Sequence, residues 1–245
     1  MKYWLIVPAA GSGSRFGSAR PKQYAALAGK TVIEHTLERL LELNVEALVL
    51  ALSADDSAWH ALGVSKHQKI RTCIGGAERS VSVFLALQSI AAVADEMDWV
   101  LVHDVARPCV RVADIRLLMD ALTAHPVGGL LATPVSATLK RVSTAVHSGG
   151  PPSKTAGAVL ETVSRDNLWA AATPQMFRYG VLVKALTQCR DAGIHPTDEA
   201  AAVERLGLSA EVVEGHSDNL KITYGADLAL AEAVLLYQQQ SRDEV

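Results

Sequence analysis

Tyr3-Trp-Leu-Ile-Val7 is an apolar run of strand length, and it leads into Pro8-Ala-Ala-Gly-Ser-Gly-Ser-Arg-Phe-Gly17 and then Pro21-Lys22-Gln23-Tyr24. Glycines allow backbone N–H groups to converge on an anion, while Arg15 and Lys22 bring positive charge within reach of it. The stretch therefore predicts a phosphate-binding loop, of the kind that holds a triphosphate, at the end of the first strand.

Two commoner glycine-rich loops do not fit this stretch. Gly29-Lys30-Thr31 has the tail of a Walker P-loop, but Tyr24 stands where that motif needs its first glycine. A dinucleotide-binding turn needs the spacing G-x-G-x-x-G, and here the third glycine, Gly17, comes one place late. On the loop alone, a Gly/Ser-rich surface turn with two solvated cations stays open as a third interpretation.

The bulk composition indicates an ordinary globular protein. At 245 residues, 49% of them hydrophobic, the chain is long enough to bury the core of an α/β domain. A net charge of −3 argues against nucleic acid and membrane surfaces as partners. Cys73, Cys109 and Cys189 are widely separated and odd in number, which suits a reducing compartment. With no stretch of signal-peptide or membrane-spanning length, we expect a cytoplasmic protein.

Strand-length apolar runs alternate with helical patterns along the chain. The predicted strands cover 3–7, 47–52, 70–74, 99–103, 129–134 and 210–213, with 219–223 strand-like, and the predicted helices cover 32–43, 54–62, 81–93, 179–192, a segment opened by Thr197, and 226–237. Thr31 and Glu34 form a capping box at the start of the first helix. Strands that are apolar throughout indicate an α/β fold with a mainly parallel sheet and helices on both faces. We expect a single domain over 1–245.

Residues 137–163 break this pattern. They are poor in bulky apolar residues and contain Ser148-Gly-Gly-Pro-Pro-Ser-Lys154, so they predict a projecting β-hairpin arm with a flexible tip. A hairpin with little core of its own needs a surface to lie on, and a second subunit is the simplest candidate. From composition alone, a disordered loop fits these residues equally well.

Further polar segments follow predicted strands at the edge where ligands of parallel sheets bind. Gly75-Gly76-Ala77-Glu78-Arg79-Ser80-Val81-Ser82 places glycines, hydroxyls and an arginine at a helix start, although a plain β–α turn would look the same. His103-Asp104-Val105-Ala106-Arg107 follows an apolar strand with a carboxylate. Beside a triphosphate, Asp104 would hold Mg²⁺ or a ribose hydroxyl. The alternatives are an Asp104 that caps the next turn or pairs with Arg107, and we expect His103 to be a packed strand-end residue.

The remaining polar candidates are single residues that more often act as caps or solvated charges. They are Arg165, Thr173-Pro174-Gln175, Thr197-Asp198-Glu199 and Lys221. Lys221 is the exception. It lies inside the strand-like Leu220-Lys-Ile-Thr223, where a lysine is unexpected, so we expect it to have a functional role.

Taken in order, these segments carry a resemblance that spans nearly the whole chain. The matching motifs are Pro8-Ala-Ala-Gly-x-Gly-x-Arg15, Pro21-Lys22-Gln23-Tyr24, Gly75-Gly76 with Arg79 and Ser82, His103-Asp104-x-Ala106-Arg107-Pro108, Arg165-x-x-Leu168-Trp169-x-Ala171, Thr173-Pro174-Gln175, Thr197-Asp198-Glu199-Ala200 and Asn219-x-Lys221. As a set they resemble the 2-C-methyl-D-erythritol 4-phosphate cytidylyltransferases of the non-mevalonate isoprenoid pathway. The resemblance implies the Rossmann-like nucleotidyltransferase fold, CTP and a polyol phosphate as substrates, and Mg²⁺ as cofactor.

The resemblance also implies a role for each matching position. The substrate-binding residues would be Ala9, Ala10, Gly11 and Gly13 in the first loop, which wraps CTP, Gly75, Gly76 and Ser82 on the cytosine side, Asp104 and Ala106 on the ribose and substrate side, and Arg79. Arg15 and Lys22 would stabilise the transition state. Arg165 and Lys221 would position the methylerythritol phosphate, with Thr173 and Thr197 nearby. Arg165 would come from the partner subunit of a homodimer, carried by the arm at 137–163.

The chemistry is consistent with these roles, because the nucleophile would be the substrate's own phosphate. With a second pKa of about 6, a phosphate monoester is largely dianionic at neutral pH and needs no general base. The obstacle is repulsion between this dianion and the triphosphate, which fixed cations and a phosphate-bridging Mg²⁺ relieve. Arg15, Lys22, Arg165 and Lys221 would be those cations, and no metal ligand is certain from sequence beyond Asp104 as a candidate.

Two departures and two rival functions stay open. The family usually carries an acid at the position of Ala137 and often at that of Ala77, and an insertion around 143–157 makes this arm longer. A cytidylyltransferase for ribitol 5-phosphate shares the loop motifs, but Arg165 with Leu168-Trp169 favours the isoprenoid enzyme. A regulator that binds CTP without turning it over would have no need of Arg165 and Lys221.

Overall fold

The computed structural model describes residues 1–11, 16, 21–143 and 157–243. In chain order its elements are β1 (Tyr3–Pro8), β2 (Ala26–Leu27), β3 (Lys30–Thr31), α1 (Val32–Leu41), β4 (Ala47–Leu52), β5 (Ile70–Ile74), α2 (Arg79–Ser89), β6 (Trp99–Val102), α3 (Val112–Leu122), β7 (Gly128–Pro134), β8 (Leu139–Val142), β9 (Val159–Val163), β10 (Trp169–Arg178), α4 (Tyr179–Asp191), α5 (Glu199–Glu204), β11 (Glu211–Glu214) and α6 (Asp227–Asp243). Gly13 and Arg15 of the first loop, and the tip of the predicted arm, lie outside the described residues.

Seven strands form the central sheet in the order β11-β7-β10-β6-β1-β4-β5. β1 pairs in parallel with β4 and β6, and the pairs β4–β5 and β7–β11 are also parallel. β10 runs antiparallel to both of its neighbours, β6 and β7. The prediction of a mainly parallel sheet is confirmed. The carboxyl ends of β1, β5 and β6 consequently meet at one edge.

Helices cover both faces of this sheet, as the apolar strands predicted. Along β1, Leu5 and Val7 face a core with α1 and α3, whereas Trp4 and Ile6 face a second core with α2, α4 and α5. All four side chains are fully buried. Burial of a large aliphatic side chain contributes roughly 1.5–3 kcal/mol, so the double-sided burial of β1 fixes the strand from which the first loop departs.

The start of α1 confirms the predicted capping box. Thr31 accepts a hydrogen bond from the backbone N–H of Glu34, and the Glu34 carboxylate accepts one from the backbone N–H of Thr31 at 2.9 Å. These two bonds satisfy backbone donors that a helix start leaves unpaired.

Two predictions of regular structure are wrong. Residues 54–62 form no α-helix, since the Asp56 carboxylate accepts from the N–H groups of Ala58 and Trp59 and a short 3-10 turn follows at Trp59–Ala61. Such local side-chain bonds compete with helix formation. Residues 219–223 are irregular rather than a strand, because Ile222 donates its N–H to the Ala106 carbonyl, in a loop, instead of to a sheet neighbour.

The pattern also missed α3, β10 and the two-residue strands β2 and β3. β10 carries Ala170, Ala171 and Ala172 and then Thr173-Pro174, which dilutes the strand signal, and its register shifts between Ala171 and Gln175. β8 and β9, at either end of the predicted arm, pair antiparallel in a separate two-stranded sheet. That the arm projects and joins two subunits stays a prediction.

The chain enters β7 in a conformation that only glycine adopts easily. Gly128 has φ +140°, and a Cβ on it would overlap the Met176 carbonyl oxygen and lie 2.7 Å from the Phe177 Cα. We expect Gly128→Ala to lower the free energy of unfolding by about 2–3 kcal/mol, because the backbone of β10 cannot move aside. Unfolding in denaturant measures this difference in the free energy of unfolding between the variant and the wild type. Gly63→Ala is the control, since a Cβ there meets open space, and equal stability of the two variants would contradict the expectation.

Candidate active site

A cleft of about 370 Å³ opens at the edge of the sheet where β1, β5 and β6 end. Its lining comes from five separate parts of the chain: Pro8 to Gly11, Lys22 and Gln23, Gly76 to Arg79 with Ser82, Asp104 to Ala106, and Lys221 with Thr223. Ligands of parallel α/β sheets bind at this edge. The cleft is therefore the candidate active site.

The first loop is tied to the far end of the chain through Lys22. Gln23, which is buried, donates from Nε2 to the Ala9 carbonyl at 2.9 Å and so holds the 3-10 turn Lys22–Tyr24 against the end of β1. Lys22 Nζ donates to the Ile222 carbonyl at 2.8 Å. A contact across 200 positions thus places the Lys22 ammonium and the 219–223 segment on the same side of the cleft.

The second glycine turn is braced by Ser82. Its hydroxyl accepts from the Gly76 N–H at 3.1 Å and lies 3.2 Å from both the Gly76 and Glu78 carbonyls. A Cβ on Gly76 would overlap Val81, so the turn needs glycine there. Gly75 donates its N–H to the Leu52 carbonyl at 2.7 Å, which continues the β4–β5 pairing into the turn. The turn is consequently rigid where it meets the cleft.

Asp104 lies at the centre of a cluster of cations. Its Oδ1 accepts from Arg79 Nε at 2.7 Å and its Oδ2 from Lys221 Nζ at 2.6 Å, with Arg107 Nε 3.9 Å from Oδ2. The Asp104 side chain is only 8% exposed. Burial by itself raises the pKa of this carboxyl, but the charges of Arg79 and Lys221 outweigh that effect and hold it well below its usual range. Asp104 is therefore a fixed negative charge that orders two cations in the cleft.

The hydroxyl of Thr173 contacts both Asp104 and His103. The Thr173 hydroxyl accepts from the Asp104 N–H at 3.0 Å and lies 3.1 Å from His103 Nδ1. His103 Nε2 lies 3.1 Å from the Arg107 carbonyl, which only accepts, so the network assigns the proton to Nε2. Burial lowers the pKa of His103 to about 4. His103 is thus neutral, fully buried and structural, as its sequence position suggested.

The structure brings most of the predicted site residues together and leaves some apart. In the cleft lining lie Ala9, Ala10, Gly11, Lys22, Gly76, Arg79, Ser82, Asp104, Ala106 and Lys221. Gly75 and Thr173 do not line the cleft but form hydrogen bonds next to it, Gly75 with Leu52 and Thr173 with the lining residue Asp104. Of the described residues, Arg165 and Thr197 lie outside the lining: both are exposed, and Arg165 donates to the Ser136 carbonyl.

Three residues order the site through contacts that sequence reasoning did not find. Arg107 donates to the Asn219 carbonyl at 2.6 Å and so ties the β6 end to the segment that carries Lys221. Gln23 fixes the first loop. Glu199 forms two bonds with Arg79, at 2.6 and 3.0 Å. All three stand inside the quoted motifs, but no spacing rule connects residues so far apart.

A divalent cation would find few protein ligands here. Both oxygens of Asp104 are bound by cations, which does not fit a role as metal ligand. Within the described ranges, no three side chains of His, Cys, Asp or Glu come close enough together to hold a metal ion. Mg²⁺ usually binds through one or two carboxylates together with substrate phosphates.

The fold and the cleft together define an α/β protein of the nucleotidyltransferase class, with glycine turns and cations at the carboxyl edge of a mainly parallel sheet. The family model for 2-C-methyl-D-erythritol 4-phosphate cytidylyltransferase matches residues 3–237. The chain belongs to this family.

Relatives and solved structures agree with this assignment. The chain is 50% identical over 235 residues to the 2-C-methyl-D-erythritol 4-phosphate cytidylyltransferase of Hahella chejuensis, covering 96% of this chain and 93% of that protein. It is 47% identical to the enzyme of the same name from Dechloromonas aromatica, over 96% of this chain and 97% of the other. The crystal structure of the Francisella tularensis 2-C-methyl-D-erythritol 4-phosphate cytidylyltransferase is similar with a TM-score of 0.77 at 35% identity, covering 96% of this chain and 100% of that one.

The buried, neutral state of His103 predicts a pH dependence of stability. Burial lowers its pKa from 6.5 to about 4, so the unfolded chain binds this proton more tightly than the folded protein does. The stability contribution is complete above pH 6.5 and is lost as the pH falls from 6.5 toward 4. The shift corresponds to about 3 kcal/mol. We expect the free energy of unfolding to fall by about that amount across this range, as measured by denaturant titration at several pH values.

The control for this prediction is a matched pair of substitutions. His103→Gln removes the titrating group, so its unfolding free energy should depend less steeply on pH than that of the wild type. His195→Gln removes an exposed histidine and should leave the slope unchanged. A His103→Gln slope equal to the wild-type slope would contradict the assignment.

Proposed function

We propose that this protein transfers CMP from CTP to 2-C-methyl-D-erythritol 4-phosphate. The products are 4-(cytidine 5'-diphospho)-2-C-methyl-D-erythritol and pyrophosphate, in isoprenoid precursor biosynthesis. The observation that carries the proposal is the cluster of Lys22, Arg79 and Lys221 around one cleft, in a chain that belongs to the cytidylyltransferase family. The rival cytidylyltransferase for ribitol 5-phosphate is not favoured, since the relatives at 47–50% identity carry the methylerythritol name.

In the proposed reaction, an oxygen of the methylerythritol phosphate attacks the α-phosphorus of CTP. The bond from that phosphorus to the oxygen bridging to the β-phosphate breaks, and its electron pair leaves with pyrophosphate. The attacking phosphate is already a dianion near neutral pH, so no proton has to be removed. A neutral His103, buried and committed to two hydrogen bonds, is consistent with a site that uses no general base.

Catalysis would rest on cations placed around the two anions. Lys22 and Lys221 both line the cleft: Lys22 donates to the carbonyl of Ile222, the residue next to Lys221, and Lys221 itself lies beside Asp104. We assign Lys22, with Arg15, to the charge that develops on the triphosphate, and Lys221, with Arg165, to the incoming phosphate. Loss of one such donor at a developing charge typically costs on the order of 10²–10³ in rate.

CTP would bind along the glycine turns. Ala9, Ala10, Gly11 and Gly13 would wrap the triphosphate, and Gly75, Gly76 and Ser82 would face the base, with Arg79 as a further substrate-binding residue. Asp104 and Ala106 would face the ribose and acceptor, with Thr173 and Thr197 further along toward the polyol phosphate. The rigid bracing of Gly76 by Ser82 supports a pocket that is ready before the base arrives.

Mg²⁺ is proposed as the cofactor, held mainly by the phosphates of CTP. When bound there, it would neutralise charge on the phosphates and so favour the departure of pyrophosphate. The residues of the chain would act on the same phosphates from the protein side: Lys22 and Arg15 by charge, and the first loop at Ala9, Ala10 and Gly11 by backbone N–H groups.

The active form is proposed to be a homodimer joined by the arm at 137–163, on a single domain of residues 1–245. Arg165 is exposed and outside the cleft of its own chain, which supports a role in the partner's site. No helix in the described part of the chain is long and apolar enough to cross a membrane. We propose the cytoplasm as the location of the enzyme.

The function is tested by substrate choice. We expect purified protein with CTP and Mg²⁺ to release pyrophosphate when methylerythritol phosphate is added, and to release far less with ribitol 5-phosphate. A coupled phosphate assay follows the release. Turnover with ribitol 5-phosphate alone would favour the wall-polymer enzyme, and CTP binding without turnover of either acceptor would favour a regulator.

A Lys221→Met variant, which keeps a similar length of side chain, should bind CTP but lose turnover.

The sharing of Arg165 between subunits is tested by complementation. Lys22→Ala and Arg165→Ala homodimers should each be nearly inactive. If Arg165 serves the partner's site, mixed dimers contain one site with neither change, so unfolding and refolding the two variants together should restore turnover. No recovery in dimers shown to be mixed would mean that Arg165 acts in its own subunit.

A further inference from the structure

Glu199 is a buried carboxylate that lies behind the active site. Its side chain is 1% exposed, and of the described residues it is not among those that line the cleft. Its two oxygens accept from Nη1 and Nη2 of Arg79 at 2.6 and 3.0 Å. A buried carboxylate with a two-point arginine partner has a fixed geometry. Glu199 therefore holds Arg79 without reaching a substrate.

The helix that carries Glu199 is itself fixed to the central sheet. Asp198 caps α5 by accepting from the Ala201 N–H at 2.9 Å, and it also accepts from Gln175 Nε2 at 2.9 Å. The side-chain Oε1 of Gln175 accepts from the Ala200 N–H at 2.9 Å. Gln175 lies opposite Val102 in the β10–β6 pair, two residues before Asp104. The position of Glu199 is thus set by the strand that ends in the active site.

Arg79 stands where a cation is unfavourable on local grounds. It is the first residue of α2, at the positive end of the helix dipole, where acids are preferred. The carboxylates of Glu199 and Asp104, from distant parts of the chain, balance the positive charge of Arg79. Because its guanidinium fork is planar, the two bonds to Glu199 also set the direction in which Nε meets Asp104.

The charges then continue into the cleft in alternating order. Glu199, Arg79, Asp104 and Lys221 form a row in which each neighbouring pair is joined at 2.6 to 2.7 Å. Lys221 is its most exposed member, with 39% of its side chain accessible, whereas Glu199 at the other end is 1% exposed. A shift of Arg79 would therefore move the Asp104 carboxylate, and the Lys221 ammonium that binds this carboxylate would move with it.

We propose that Glu199 is a positioning residue of this enzyme: by orienting Arg79 against Asp104, it fixes Lys221 for the incoming phosphate. The inference rests on the proposed function for its kinetic consequence, and on the structure alone for the state of Lys221. Glu199 would act through Arg79, so the effect of changing one should depend on the presence of the other.

The kinetic test is a double-mutant cycle of Glu199→Gln and Arg79→Met. We expect Glu199→Gln to lower kcat/KM for the polyol phosphate by roughly 10- to 100-fold, the usual effect of losing an outer partner of a site group. In the Arg79→Met background the same change should have little further effect. Effects that multiply independently, or an unchanged Glu199→Gln enzyme, would overturn the proposal.

A second measurement needs neither substrate nor the Arg79→Met variant. An amine-acylating reagent is applied to the apoprotein, and the rate at Lys221 is followed by peptide mass mapping. A released Lys221 should react faster in Glu199→Gln than in the wild type. Glu204→Gln, on the exposed side of the same helix, is the matched control and should react like the wild type. An unchanged rate in Glu199→Gln would overturn the proposal, whereas absent wild-type turnover would count against the proposed function.

Discussion

The carboxylate of Asp104 is buried at the end of β6, and the rest of the active site is arranged by the need to compensate its charge. An uncompensated carboxylate at such a place would cost several kcal/mol or take up a proton. Here Arg79 and Lys221 bind its two oxygens, and Arg107 lies near. Arg79 belongs to α2, Arg107 to the loop after β6 and Lys221 to the 219–223 segment. The buried charge of Asp104 therefore links three parts of the chain.

Hydrogen bonds between distant segments hold the neighbourhood of Asp104 in place. Thr173 holds the backbone of Asp104, Asn219 donates to the Thr173 carbonyl at 2.8 Å, and Lys22 donates to the Ile222 carbonyl. Every one of these bonds crosses between segments far apart in sequence. Preorganised charge of this kind favours a transition state without the reorganisation that water would need.

Local sequence signals were enough for the elements that lead into the site. The apolar run before Pro8 predicted β1, and Thr31 with Glu34 predicted the start of α1, because both depend on neighbours along the chain. The motif residues Lys22, Asp104 and Lys221 were also found from sequence, and the structure places them in one cleft.

What the sequence could not supply were the contacts between distant segments. Lys221 was predicted on a strand, yet it lies in irregular chain fixed by Ala106 and Arg107. Glu199 looked like an ordinary acid in the first turn of a helix, since its pairing with Arg79 spans 120 positions. The short segment at 54–62 carried a helical pattern, but the Asp56 side chain captured the N–H groups that a helix would use.

The most direct measurement is the ionisation of Asp104 itself. Its carboxyl resonance can be followed by NMR in protein with carbon-13-labelled aspartate, assigned with Asp104→Asn, as the pH is lowered through the folded range. If the cations hold this charge as described, the resonance stays that of a carboxylate below the ordinary aspartate pKa of about 3.9. A resonance that titrates at or above that value would contradict the central role given to this ion cluster.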